Sequence, residues 1–127
     1  MMMTSVGKDL KGCRVLIVED DVRISMLMQE SLVEMGCEVV GTAMLFDDAM
    51  EMAASQPFDV ALLDISLNGE LSYPVAEAML EHNQKFVFVT GHVMETLPAP
   101  FQGTPVLHKP FGLRDLQKVL RLALSGR

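Results

Sequence analysis

Glu19-Asp20-Asp21, Asp64, Thr90 and Lys109 each close a short apolar run of this 127-residue chain. Gathered in one place, residues of these types suit one kind of chemistry. Carboxylates held close together repel each other unless a cation joins them or one takes up a proton. Hard oxygen ligands suit Mg²⁺, which keeps several waters and takes only one or two protein carboxylates plus phosphate oxygens. Beside such a cation, Asp64 is a nucleophile that can attack phosphorus and form an aspartyl phosphate. Lys109 then supplies a positive charge, and Thr90 a hydroxyl donor, for the phosphoryl oxygens as charge develops. Taken singly, each residue has a plainer reading: Asp64 as a turn or helix-capping aspartate, Lys109 as a surface lysine, Thr90 as a strand end. Their joint placement at four successive strand ends is what favours chemistry.

The elements that must position them can be read from hydrophobic period. Phe58-Asp59-Val60-Ala61-Leu62-Leu63-Asp64 has an apolar stretch without polar alternation, the pattern of a strand buried on both faces of a parallel sheet. Arg14–Val18 reads as the first strand. From Asp21 the spacing changes: Ile24, Leu27, Met28, Leu32 and Met35 form the stripe of a helix, with Gly36 at its C′ position. Glu38–Ala43 makes a second strand, and Asp47 to Ser55 a shorter helix stopped by Gln56-Pro57. After the third strand comes a loop from Ile65 to Ser72 with Asn68-Gly69 as its turn. A helix follows, with Pro74 in its first turn and Val75, Ala76, Met79 and Leu80 on its stripe. Phe86–Val89 is the fourth strand and Pro105–His108 the fifth. Leu113, Leu116, Leu120, Ala123 and Leu124 mark the last helix.

Between His92 and Thr104 the pattern weakens, because Pro98 and Pro100 remove backbone donors and hold Leu97 and Ala99 extended. Room is left for one helical turn near Val93 to Leu97, so the fourth helix is short or irregular. The chain is therefore α/β, a doubly wound, five-stranded parallel sheet, and in a sheet ordered 2-1-3-4-5 the acids, Thr90 and Lys109 converge on one edge. Its ligand edge lies at the carboxyl ends of the strands, at the switch point between strands one and three. Residues 1–12 form an N-terminal extension and 13–127 the domain.

Composition sets outer bounds. Half of the residues are apolar, enough for a proper core. A net charge of −7 argues against a nucleic-acid-binding surface, which needs a basic face for phosphates. Cys13 and Cys37 lack metal-type spacing and fit reduced thiols in a cytosolic protein, with a disulfide between them left open. Met1 to Gly12 has no apolar signal-type region, and no segment has the length to span a bilayer, so a cytoplasmic protein is expected. The eleven methionines are read as core filler. No Gly-x-Gly-x-x-Gly fingerprint follows the first strand and no Gly-x-x-x-x-Gly-Lys loop occurs, which argues against a nucleotide-dependent enzyme.

Val15-Leu16-Ile17-Val18-Glu19-Asp20-Asp21, Leu62-Leu63-Asp64, Val89-Thr90-Gly91 and Lys109-Pro110-Phe111 together resemble the receiver domain of two-component response regulators, a flavodoxin-like fold. No single motif is strong, but the four in this order are specific, and the likeness runs from about Cys13 to Ala123. It implies that Asp64 is the phosphoacceptor and that Glu19 and Asp20 are the acidic pair, with Asp20 the direct Mg²⁺ ligand. It further implies that the backbone carbonyl of Ser66 completes the metal site and that Thr90 and Lys109 hold the phosphoryl group. Asp21 is then a helix-starting residue.

Departures from the common receiver pattern narrow the resemblance. Leu67-Asn68 stands where many receivers have Met-Pro. The loop to Pro74, Phe86–His92 and Pro105–Phe111 are similar to stand-alone alphaproteobacterial receivers with a Phe-Ala-Thr-Gly-Tyr-like motif, often linked to HWE-type histidine kinases. Val89 and His92 vary that motif. Val106 occupies the position where most receivers place an aromatic that swings inward on phosphorylation, so the usual Thr-plus-aromatic coupling is not expected in its standard form. The expected function is that of a single-domain response regulator. It would accept a phosphoryl group on Asp64 from a histidine kinase or histidine phosphotransfer protein and signal through a downstream protein partner or a phosphorelay. It would bind no DNA and no membrane, and catalyse nothing beyond its own aspartyl phosphorylation and dephosphorylation. The alternative is a receiver-fold binding module that works without phosphorylation.

Overall fold

The computed structural model describes residues 8–92 and 96–125. Its elements are β1 (Arg14–Val18), α1 (Val22–Glu34), β2 (Glu38–Ala43), α2 (Phe46–Ser55), β3 (Val60–Asp64), β4 (Ser66–Leu67), β5 (Glu70–Leu71), α3 (Tyr73–Glu81), β6 (Phe86–Thr90), β7 (Val106–His108) and α4 (Leu113–Ser125). Short 3₁₀ turns cover Lys8–Leu10 and Ala99–Phe101.

β1, β2, β3, β6 and β7 form one sheet in the order β2-β1-β3-β6-β7, every neighbouring pair parallel. With the small β4–β5 hairpin set aside, this is the expected order 2-1-3-4-5. Successive strand residues feed opposite faces. Val15, Ile17, Leu62, Val87 and Val89 pack with Met28, Leu32, Leu116 and Leu120 of α1 and α4. Leu16, Val18, Ala61, Leu63 and Phe88 pack with Ala49, Ala53, Ala76 and Met79 of α2 and α3. Every residue of β3 is buried, which explains its lack of polar alternation. Between β1 and β2 the register slips by one residue after Val15. Gly41 sits opposite Leu16 there, and a Cβ on it would approach Leu16 and Met52 to 3.4 Å.

Local signals set the helix ends. The Asp21 carboxylate accepts from the backbone N–H of Arg23 at 2.9 Å, capping α1, and Gly36 closes it with φ +89°. The stripe on α1 is narrower than the spacing predicts: the buried face is centred on Ser25, Met28 and Leu32, and Leu27, off that face, is 60% exposed. Leu80 on α3 is likewise largely exposed. Met28, Met35 and Met79 serve as core filler, whereas Met26 and Met44 face outward. Cys13 and Cys37 are both buried free thiols.

Two stretches differ from the sequence expectation. The segment 65–72 is not a plain loop but a β4–β5 hairpin. Asn68 and Gly69 take positive φ, 53° and 83°, as a two-residue hairpin turn requires. In the region of the fourth helix, the turn expected near Val93 to Leu97 falls largely outside the described residues, and Thr96 and Leu97 are not helical. Among the described residues of this region the turn is Ala99–Phe101, further on, where Pro98 and Pro100 stand at and just inside its start. Phe101 is its anchor: only 2% exposed, it stacks on Tyr73 with centroids 5.4 Å apart and meets Phe88 edge-on at 5.4 Å.

Candidate functional site

β1, β3, β6 and β7 all run the same way, so their carboxyl ends open onto one edge of the sheet. In register, Asp64 lies beside Val89 and Thr90 beside His108, and the Lys109 N–H donates to the Thr90 carbonyl at 2.8 Å. Backbone pairing alone therefore brings residues far apart in sequence to one place. Asp20, Asp64, Ser66, Tyr73, Thr90, His92 and Lys109 line a cleft of about 360 Å³ there.

Glu19, Asp20 and Asp64 each offer a carboxylate oxygen within 4.8 Å of the others. Lys109 crosses the cluster: its Nζ lies 2.9 Å from Glu19 Oε1 and donates to Asp64 Oδ2 at 3.2 Å. The contact to Glu19 is an ion pair outside hydrogen-bonding angles, which leaves the fully buried Oε1 without a directed partner. Glu19 Oε2 accepts the Asp21 N–H at 3.1 Å. Burial pushes the Glu19 carboxyl up to about 7; Lys109 opposes this and Asp64 adds to it. Burial also raises Asp64 above the ordinary carboxylate range, again against Lys109. For Lys109, burial works to lower the pKa, but Glu19 and Asp64 outweigh it and hold the ammonium protonated above its usual range.

One lysine thus faces more carboxylate charge than it can neutralise. An under-compensated, all-oxygen cluster whose buried Glu19 Oε1 has only the Lys109 ion pair for a partner fits a hard divalent cation of the Mg²⁺ type. Asp21 is outside the cluster and spends its side chain on the α1 cap.

The remaining expected residues are brought to the cleft in different ways. Thr90 is 4% exposed, and its Oγ1 accepts the His92 N–H at 3.1 Å. Ser66 lines the cleft from the first position of β4. Three contributors escaped sequence reasoning. Ser72 is fully buried, and its hydroxyl donates to the Asp64 backbone carbonyl, fixing the strand end that carries the acid. A cap-type serine ahead of Tyr73-Pro74 was the available signal, yet its hydroxyl serves Asp64 and not the helix. Tyr73 lines the cleft while stacking on Phe101. Asn68 reaches Asp20 with its backbone N–H at 2.7 Å.

Comparisons with known proteins agree with this fold. The solution structure of SdrG from Sphingomonas melonis Fr1 is 35% identical, covers 89% of this chain and 97% of its own, and superposes with a TM-score of 0.79. The REC domain of the Erythrobacter litoralis PhyR response regulator is 26% identical over 92% of this chain and 93% of its own, also with a TM-score of 0.79. A curated relative, the uncharacterized transcriptional regulatory protein YbdJ of Bacillus subtilis, is 29% identical over 91% of this chain, which spans only 52% of that relative's length. The family model of the response regulator receiver domain matches residues 15–121, the span from β1 into α4 that holds every element and side chain of the cleft, and the chain belongs to that family.

Proposed function

We propose that this protein is a phosphoryl-accepting receiver in which Asp64 takes a phosphoryl group from a phosphohistidine of a histidine kinase or phosphotransfer protein. The observation that carries the reading is the Lys109 ammonium lying against Asp64 and the buried Glu19 in a cluster that still has an excess of carboxylate charge. Glu19, Asp20, Asp64 and the Ser66 carbonyl would hold Mg²⁺, which when bound supplies charge neutralisation for the carboxylates and the incoming phosphoryl oxygens.

The residues of the chain do the rest. An Asp64 carboxylate oxygen attacks phosphorus, an O–P bond forms as the P–N bond of the phosphohistidine breaks, and the electron pair leaves on the imidazole nitrogen, which takes up a proton. Lys109, already within reach of Asp64, moves its contact onto a phosphoryl oxygen, and Thr90 exchanges its local backbone partner for another. Ser72 keeps the Asp64 main chain from shifting during transfer. The output is protein–protein interaction or onward transfer in a phosphorelay; the net charge of −7 supports a protein partner over nucleic acid. The action is that of a signalling domain in the cytoplasm, and the HWE-type kinases suggested by the motif are the first donors to test.

Intact-mass analysis after incubation with acetyl phosphate is the test. One phosphoryl group is expected with Mg²⁺ and none after chelation. Labelling that persists in Asp64→Asn would overturn the assignment. A specific binding partner retained equally well by Asp64→Asn would favour a binding module that needs no phosphorylation.

A further inference from the structure

The β4–β5 hairpin is pinned more firmly than a surface turn needs to be. Leu67 is fully buried in the α2/α3 side of the core. At the base of the loop the Ser72 N–H donates to the Ile65 carbonyl at 2.8 Å. At the tip, the Asn68 side-chain amide donates to the Met44 carbonyl at 2.7 Å, tying the hairpin to the β2–α2 connection. The Asn68 backbone N–H donates to Asp20 Oδ2, also at 2.7 Å. Among the described residues this is the hydrogen bond that holds the Asp20 carboxylate, which is only half-buried and has no lysine against it.

A carboxylate on a single side chain rotates broadly about its last torsion unless something fixes an oxygen. With Oδ2 held by Asn68, the spacing between Asp20 and the oxygens of Glu19 and Asp64 is set before any cation arrives. Mg²⁺ demands near-ideal octahedral geometry at short distances, whereas Ca²⁺ accepts longer distances and irregular coordination. Fixing one carboxylate therefore matters more for the smaller ion. We propose that the Asn68 turn, latched to Met44 and hydrogen-bonded to Asp20, is a positioning element that sets the preference of the acidic cluster for Mg²⁺ over Ca²⁺. This rests on reading Glu19, Asp20 and Asp64 as a divalent-cation site.

Asn68→Gly isolates the latch. Glycine accepts the positive φ of this turn and keeps the backbone N–H, and Gly-Gly is a favoured pair for such hairpins; only the bond to Met44 is removed. Calorimetric titration of the full chain with each metal chloride gives the readout. Mg²⁺ binding is expected to weaken about tenfold, the scale of one lost hydrogen-bond constraint, and Ca²⁺ binding by less than about twofold. Equal losses for the two ions would mean that Asn68 only supports the fold, and an unchanged ratio would overturn the inference while leaving the cation site intact. A wild-type chain that binds neither ion would overturn both this inference and the site reading. Should Asn68→Gly not fold, the wild type decides: the Asn68 amide protons should exchange more slowly with Mg²⁺ bound than with Ca²⁺, and identical exchange would overturn the inference.

Discussion

At the scale of single residues, the acids of Glu19-Asp20-Asp21 have separate jobs despite their adjacency. Glu19 is buried against Lys109, Asp20 faces the cleft under Asn68, and Asp21 caps α1. Asp20→Asn should therefore weaken Mg²⁺ binding by at least about tenfold, the lower range for disturbing even an outer partner of a metal site. Asp21→Asn should change it by less than about twofold, since asparagine caps a helix about as well as aspartate. Equal losses in a metal titration would put the acids out of register. Lys109→Ala should leave Mg²⁺ binding intact or tighter, because it removes a competing cation from Glu19 and Asp64, while slowing acetyl-phosphate labelling. Normal labelling in that variant would return Lys109 to a structural role.

At the scale of elements, the segment that precedes β7 is anchored by the buried Phe101, with Leu97 packed against the same side of the core. Phe101 fills the face between Tyr73, Phe86 and Phe88, and the backbone around it makes few bonds: Phe101 N–H to Pro98 at 2.9 Å, Gln102 N–H to Ala99 at 3.3 Å and Thr104 N–H to Phe101 at 3.0 Å. Phe101→Ala should cost about 3–5 kcal/mol, the usual range for emptying a buried aromatic site. Chemical denaturation measures this. In the wild type, hydrogen exchange should be fast at Leu97 and Gly103 and slow at Phe101 and Thr104. A loss under about 1 kcal/mol would show that the site collapses around the cavity or was never tightly packed. Tyr73 both lines the cleft and stacks on Phe101, so it is the aromatic that stands next to this segment, where the strand position before β7's Leu107 carries Val106.

At the scale of the whole molecule, the edge of the sheet opposite the cleft is locked by charge. The Asp59 carboxylate accepts from the Arg14 backbone N–H at 2.8 Å and pairs with its guanidinium at 3.1 Å, joining β1 to the entry of β3. Those Arg14 hydrogen bonds lower the Asp59 pKa below its ordinary 3.8. A depressed carboxylate stabilises the fold above its unfolded pKa, and that contribution disappears as pH falls through the folded value. Both partners are more than a third exposed, so the pair is worth only about 0.5–1 kcal/mol at pH 7. Asp59→Asn should therefore be less stable than wild type by that amount near neutrality. The two should converge as pH falls through the lowered Asp59 pKa, where the aspartate is protonated and resembles asparagine. A gap that persists in acid-range denaturation would mean that the destabilisation is not electrostatic.

Hydrophobic period was enough to read five strands alternating with helices, and right-handed crossovers made the sheet parallel and doubly wound; the order 2-1-3-4-5, which brings Asp20, Asp64, Thr90 and Lys109 to one edge, came with the receiver resemblance. The paired prolines likewise announced that no long helix could run through residues 98–100. Only the tertiary structure showed where each acid of Glu19-Asp20-Asp21 sits, the first buried against Lys109, the second in the cleft and the third at a helix start. It also decided that Leu27 faces solvent, that Phe101 is the anchor before β7, and that Asn68 closes onto Asp20 across 48 positions of chain. Each of these depends on which surfaces approach through space, and no periodicity along the chain encodes the distance between residues that pairing brings together.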